Sequence, residues 1–219
     1  MMNALEMIGN TKLIAIARGI YGSDLILSSK ALYDGGVRAF EVTFVQSEDP
    51  EAARKNALLT AESISALKNA LPGAAVGAGT VMTAEQAETA FGAGAGFIIS
   101  PNTDEAVIKR TKALGMVSIP GAMTPTEIVT AYELGADIVK VFPAGVLGVE
   151  YFKAVRAPLS HIPLAAVAGI TKDNIALFER AGAAAYGISS SLYIKDAIRE
   201  GNFDRIRRAA EEFFLAMKK

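Results

Sequence analysis

The sequence predicts a (β/α)8 barrel, the TIM-barrel class, with a short N-terminal capping helix. Three observations carry that expectation. Eight short apolar or β-branched runs recur roughly every 20 to 30 residues. Most are apolar at consecutive positions, as strands buried on both faces must be. Between them lie segments with helical spacing, acidic first turns and closing glycines. Strands alternating with helices indicate a parallel sheet covered by helices. Eight such units in 219 residues fit a closed barrel at the small end of its size range. A doubly wound open sheet is the rival arrangement. One domain over residues 1–219 is expected, since no linker or low-complexity stretch interrupts the pattern.

The elements follow in order. Residues 2–9 read as the capping helix. The strand runs are "KLIAIAR" (12–18), "RAFEVTF" (38–44), "AAVGAGT" (74–80), "GFIISP" (96–101), "MVSIP" (116–120), "DIVKVFP" (137–143), "LAAVAG" (164–169) and "AYGIS" (185–189). "SDLILSSKALYDGG" (23–36) opens with a Ser-Asp cap signal and ends in glycine. "DPEAARKNALLTAESISALKNALPG" (49–73) is one long amphipathic helix stopped by Pro-Gly. "TDEAVIKRTKALG" (103–115), "TPTEIVTAYELG" (124–135) and "TKDNIALFERAG" (171–182) share one grammar: a threonine near the start, an acid in the first turn, a closing glycine.

Composition narrows the chemistry. Hydrophobic residues make up 51%, enough for a sizeable core. With 22 basic and 23 acidic residues the net charge is −1, which points to neither a nucleic-acid groove nor an anionic membrane surface. Cysteine is absent, so disulfides, thiolate metal sites and cysteine nucleophiles are excluded. The single histidine, His161, lies in a loop leading into the seventh strand run, opposite the expected site, and reads as a surface or packing residue. No metal site and no cofactor are expected. No signal peptide and no membrane-spanning run is evident, so a cytoplasmic protein is expected.

In a barrel, functional residues gather at the C-terminal strand ends. Lys140 sits inside the apolar run Ile138–Phe142, where a charged ammonium is costly. Alternation puts Lys140 and Phe142 on one face, and Glu41 and Thr43 on one face of another strand. If both faces point inward, Glu41 and Lys140 meet. Such a pair reads either as a structural ion pair filling the barrel or as a nucleophilic lysine beside a proton shuttle. Arg18 ends the first strand run, Thr80 the third, and Pro101 lies at the end of the fourth. Gly169 and the serines 189–191 sit in the loops after the seventh and eighth runs and are expected at helix starts. Backbone N–H groups there bind anions, whereas ordinary capping uses the same residues.

These residues resemble a known family. "GGVRAFEVTF", "VGAGTV", "SPN", "IPGAMTPTE", "KVFPA" and "AGI" occur in the order found in the 2-keto-3-deoxy-6-phosphogluconate / 4-hydroxy-2-oxoglutarate aldolases, over about residues 10 to 200. The resemblance implies a metal-independent class I barrel aldolase, usually a homotrimer, acting on pyruvate and an aldehyde. It implies that Lys140 forms the Schiff base, Glu41 is the general acid/base, and Thr80 helps hold the substrate carboxylate. Pro101 and Phe142 look like the wall around the pyruvyl group, and Gly169 and Ser190 like phosphate contacts. Thr43, on the face of Glu41, joins the substrate contacts. One position departs from the family: many members read "EVTxR", and here Val45 stands where that arginine would clamp the carboxylate. Arg18 is the candidate to supply the charge. Ala168-Gly169 also stands where the family often has two glycines. An aldolase of the same family acting on a different 2-keto-3-deoxy sugar acid, a phosphate-binding barrel epimerase without a covalent intermediate, and a non-catalytic binding protein are the alternatives.

Overall fold

The computed structural model describes residues 2–218. Nine strands form one sheet: β1 (Leu13–Ala17), β2 (Ala39–Thr43), β3 (Ala75–Gly79), β4 (Phe97–Ile99), β5 (Val117–Ile119), β6 (Gly121–Ala122), β7 (Val139–Val141), β8 (Leu164–Val167) and β9 (Ala185–Ile188). All pairs are parallel, in the order β5-β4-β3-β2-β1-β9-β8-β7-β6. The two ends of that order are neighbours in the chain, separated only by Pro120, so the sheet returns on itself as a barrel. The fifth run, expected as one strand over 116–120, is thus two. Pro120 has no N–H to give the ladder. Before it, Ile119 pairs with Ile99; after it, Gly121 pairs with Lys140. The Lys140 N–H donates to the Pro120 carbonyl at 2.8 Å and holds the seam.

Ten helices cover or cap the sheet: α1 (Ala4–Thr11), α2 (Gly22–Asp34), α3 (Pro50–Ala70), α4 (Ala84–Gly92), α5 (Glu105–Ala113), α6 (Pro125–Glu133), α7 (Ala144–Arg156), α8 (Ile175–Arg180), α9 (Lys195–Arg199) and α10 (Phe203–Met217). α1 starts two residues later than expected. Asn3 caps it in a reciprocal capping box with Glu6, which fixes the start at Ala4. Three cap assignments change. α2 begins at Gly22 after an uncapped Tyr21, so Ser23 and Asp24 lie within its first turn. Asp104, not Thr103, caps α5. Thr171 opens a turn ahead of α8 instead of capping it, because Asn174 Oδ1 takes the Thr171 N–H at 2.8 Å. At α6 the threonine and first-turn acid are Thr124 and Glu127, which form a capping box, and Asp49 with Pro50 opens α3.

Side-chain alternation sorts the strands into two cores. Outward residues such as Leu13, Phe40 and Val139 pack under the helices. Inward residues, among them Ile14, Ile16, Phe97, Ile99, Ile119 and Val167, fill the barrel. Phe97 is fully buried, a contribution of roughly 2–3 kcal/mol by area transfer. It fits because Gly77 faces it: a Cβ there would lie 2.4 Å from the ring. Ile8 of α1 is fully buried with the inner set and closes the N-terminal end. The opposite end carries the polar strand termini. His161 lies exposed in the loop before β8, edge-on to Tyr132 at 5.7 Å between ring centroids.

Candidate active site

Register makes room for the two charged residues. Lys140 on β7 lies opposite Gly121 and Ala165 on the flanking strands. Glu41 on β2 lies opposite Ile16 and Gly77. Both side chains enter the barrel, Lys140 between two small neighbours and Glu41 beside one, and both are buried, Glu41 2% and Lys140 7% exposed. Gly79, next inward along β3, seats the Glu41 carboxylate: a Cβ at Gly79 would lie 1.6 Å from Oε1. Gly121 is equally confined, since a Cβ there would come within 2.3 Å of the Pro101 carbonyl oxygen.

A cavity of about 360 Å³ opens above them, lined by Arg18, Glu41, Lys140, Phe142, Gly169 and Ser190 together with apolar residues such as Ile16 and Val167. This is the size and character of a site for a small organic ligand. Six of the nine residues singled out from sequence therefore converge. Thr43, Thr80 and Pro101 stand outside the lining. The Thr43 hydroxyl donates to the Ala17 carbonyl at 3.4 Å, a weak tie between β2 and β1.

The electrostatics suit a nucleophile. Glu41 and Lys140 do not form an ion pair; the ion pairs among the described residues all lie elsewhere. Glu41 Oε2 is buried without a hydrogen-bond partner. A structural pair that filled the barrel would be satisfied, because leaving buried charge unpaired costs several kcal/mol, roughly. Burial pushes the Glu41 carboxyl up to about 7, against the opposing pull of Lys140 and Arg18. Burial likewise pulls the Lys140 ammonium below its ordinary value; Glu41 opposes this, and Arg18 adds to it. A lysine with lowered basicity supplies the free amine that attacks carbonyls. Lys140 Nζ lies 4.6 Å from the centre of the Phe142 ring, over its face. Among the described residues no cluster of histidine, cysteine, aspartate and glutamate could hold a metal ion.

The description of the KDPG and KHG aldolases matches residues 5–209 of this chain. The chain belongs to that family. Its members are aldolases, and the activity of this chain is accordingly that of a lyase. A 2-dehydro-3-deoxy-6-phosphogalactonate aldolase of Escherichia coli is 37% identical over 183 residues, 83% of this chain and 84% of that protein. A probable enzyme of the same name from Rhizobium meliloti is 37% identical over 182 residues, 83% of this chain and 81% of its own length. A solved structure described as native KDPGal superposes with a TM-score of 0.79 at 35% identity, covering 94% of each chain.

Two features of this site could not be seen at single positions. Val45 is 43% exposed and lies outside the cavity, whereas Arg18 lines it and acts on both buried charges. The loops after β8 and β9 also differ from the helix starts expected there. α8 begins only at Ile175 and α9 at Lys195, so Gly169 and Ser190 precede their helices by several residues. Ser190 instead follows Ser189 in a single turn, in which the Leu192 and Tyr193 N–H groups both donate to the Ser189 carbonyl at 3.0 and 2.9 Å. The first amides of such a turn lack partners within it.

Proposed function

We propose that this chain is a class I aldolase that reversibly cleaves a 2-keto-4-hydroxy acid to pyruvate and an aldehyde through a Schiff base on Lys140. One observation carries the reading: a buried lysine of lowered basicity shares a small cavity with an unpaired glutamate and makes no ion pair with it. Neutral Lys140 attacks the C2 ketone, and water leaves to give an iminium. The iminium draws in the electrons of the C3–C4 bond. Glu41 accepts the proton of the C4 hydroxyl as that bond breaks, then returns a proton to C3 of the enamine. Hydrolysis frees pyruvate and Lys140. The Phe142 face stabilises the cationic iminium at Nζ. Arg18 holds the substrate carboxylate in place of the arginine that Val45 displaces. Gly169 and Ser190 contact the far end of the substrate, while Thr43, Thr80 and Pro101 stand behind the pyruvyl end, outside the cavity lining.

The substrate favoured is a 2-keto-3-deoxy-6-phospho sugar acid, with the galactonate form first because two relatives at 37% identity bear that name. 2-Keto-3-deoxy-6-phosphogluconate and 4-hydroxy-2-oxoglutarate are the other members of the panel. The family resemblance supports a cytoplasmic homotrimer, and the exposed apolar residues Val45, Met82 and Met123 in the loops after β2, β3 and β6, with Val146 at the start of α7, are candidates for its buried faces. Light scattering on the purified protein tests the trimer.

Borohydride trapping with pyruvate, followed by peptide mass spectrometry, tests the chemistry. The expected result is a reduced pyruvyl adduct on Lys140, lost in Lys140→Ala together with turnover. No adduct at saturating pyruvate would sink the class I reading. Cleavage rates across the three acids then rank the substrates.

A further inference from the structure

Thr80 is held in a strained place. Its φ is +56°, a left-handed conformation that β-branched residues avoid. The residue before it, Gly79, seats the Glu41 carboxylate. The Phe44 N–H donates to the Gly79 carbonyl at 2.8 Å on one side of this turn. On the other, Gln46 Nε2 donates to the Thr80 carbonyl at 2.7 Å. Gln46 is itself fixed: its Oε1 accepts from Gln86 Nε2 at 3.0 Å, and Gln86 Oε1 accepts from the Met82 N–H at 2.8 Å.

The polarity of this chain is forced from both ends. A backbone N–H only donates and a carbonyl only accepts. Met82 therefore takes the oxygen of Gln86, which turns the Gln86 amide nitrogen towards Gln46. Gln46 answers with its oxygen, and its nitrogen donates chiefly to the Thr80 carbonyl at 2.7 Å, with a weaker contact to Gln86 Oε1 at 3.4 Å. The far end rests on a helix start, since the Gln86 N–H donates to the Thr83 hydroxyl that caps α4.

We propose that Gln46 is a positioning residue: with Gln86 behind it, it holds Thr80 in its left-handed conformation and so keeps the Gly79–Thr80 turn against the Glu41 carboxylate. The inference rests on the reading of Glu41 as the proton shuttle. Gln46 touches no reacting atom. Its loss lets the turn relax, admits water to the carboxylate and slows proton transfer, while Lys140 keeps its surroundings.

Two variants test this. Gln46→Met keeps the length of the side chain and removes both amide groups. Gln86→Glu keeps an acceptor for the Met82 N–H, and with it the start of α4, but cannot donate. The new carboxylate sets an acceptor against Gln46 Oε1 where an N–H stood. It also competes with the Thr80 carbonyl for Gln46 Nε2, which already lies 3.4 Å from Gln86 Oε1; Gln46 is thereby drawn off Thr80. Exchange of the pyruvate methyl protons for deuterium, followed by NMR, reads the proton transfer without any aldehyde. Borohydride trapping reads the Schiff base separately.

Trapping on Lys140 is expected in all three proteins, with melting temperatures within a few degrees. The exchange rate should fall about five- to tenfold in both variants, as for loss of one good hydrogen bond. The limb of the pH profile belonging to Glu41 should move about half a unit lower as the carboxylate gains water. The charged groups facing Glu41 are Arg18 from β1 and Lys140 from β7, with none from β3, and neither variant alters them. Wild-type exchange in either variant, with the adduct intact, overturns the role of Gln46 alone. A slower rate with an unmoved pH limb assigns it an ordinary structural role and also overturns the proposal. No adduct in the wild type removes the site reading and this inference together.

Discussion

Gly79→Ala is the smallest change that reaches the proposed chemistry. The backbone at Gly79 is not left-handed, so an alanine there meets no conformational strain and the effect is one of space alone. The added Cβ would lie 1.6 Å from Glu41 Oε1, 2.3 Å from Cδ and 2.6 Å from Cγ. Carbon atoms need about 3.5 Å, so the carboxylate must retreat by about 2 Å or β3 must move. Neither is easy inside a packed barrel, and overpacking of this kind costs about 1–3 kcal/mol. For a chain of this length that is a fall in melting temperature of roughly 2–12 °C. The catalytic cost is larger, because a misplacement of about 1 Å in a reacting group lowers the rate on the order of 100-fold. Deuterium exchange into pyruvate should drop by at least that factor, while borohydride still traps pyruvate on the untouched Lys140. Gly92→Ala is the control, since nothing lies within 4 Å of its Cβ. Exchange within threefold of wild type in Gly79→Ala would refute the seating of Glu41 argued from this contact.

Other expectations follow from the same geometry. The Glu41 carboxyl is pushed up to about 7 from an ordinary 4.5, so between those pH values the folded chain keeps a proton that the unfolded chain has lost. Stability therefore falls as pH rises through that window, and Glu41→Gln should gain roughly 2–3 kcal/mol at pH 8 and almost nothing at pH 4. Urea midpoints at both pH values check this; an equal gain at both would contradict it. Ala168 has a φ of +71°, so Ala168→Gly should add about 1 kcal/mol and raise the melting temperature by about 2–4 °C. A lower melting temperature would mean that the methyl group contributes packing that outweighs its strain. Arg18→Met should raise the pyruvate KM at least about tenfold with a smaller change in kcat, as loss of a charge-assisted carboxylate contact does. An unchanged KM removes Arg18 from the site.

Lys140 and Glu41 were legible in the sequence because a charge inside an apolar run has few reasons to be there. Alternation along the strand then placed each on the inner face, with Phe142 beside Lys140. Arg18 was legible as the polar end of an otherwise apolar run. The seat of Glu41 was not. Gly79 sits in a glycine-rich segment that any tight strand end could carry, and its contact with Glu41 arises only from the register that pairs Thr43 with Gly79. Gln46 and Gln86 look like loop and helix polarity, and nothing local says that they face each other across two loops. The break at Pro120 was similarly hidden. A proline can end a strand or merely interrupt one, and which occurs depends on the different partners available on its two sides.

The plug made by Ile8 and the layered side chains above it gives the cavity a floor. Lys140 stands deep, 7% exposed, while Gly169 and Ser190 stand at the exposed rim. A keto acid bound to the lysine must therefore point its tail outward, and the fragment beyond the broken bond lies between the tethered carbons and the solvent. On the proposed Schiff-base reading it departs first, because the pyruvyl carbons stay bonded to Lys140 until hydrolysis; run in reverse, pyruvate enters before its partner. Kinetic order would then be a queue behind a covalent tether, in a corridor whose floor, sealed by Ile8, never meets the substrate.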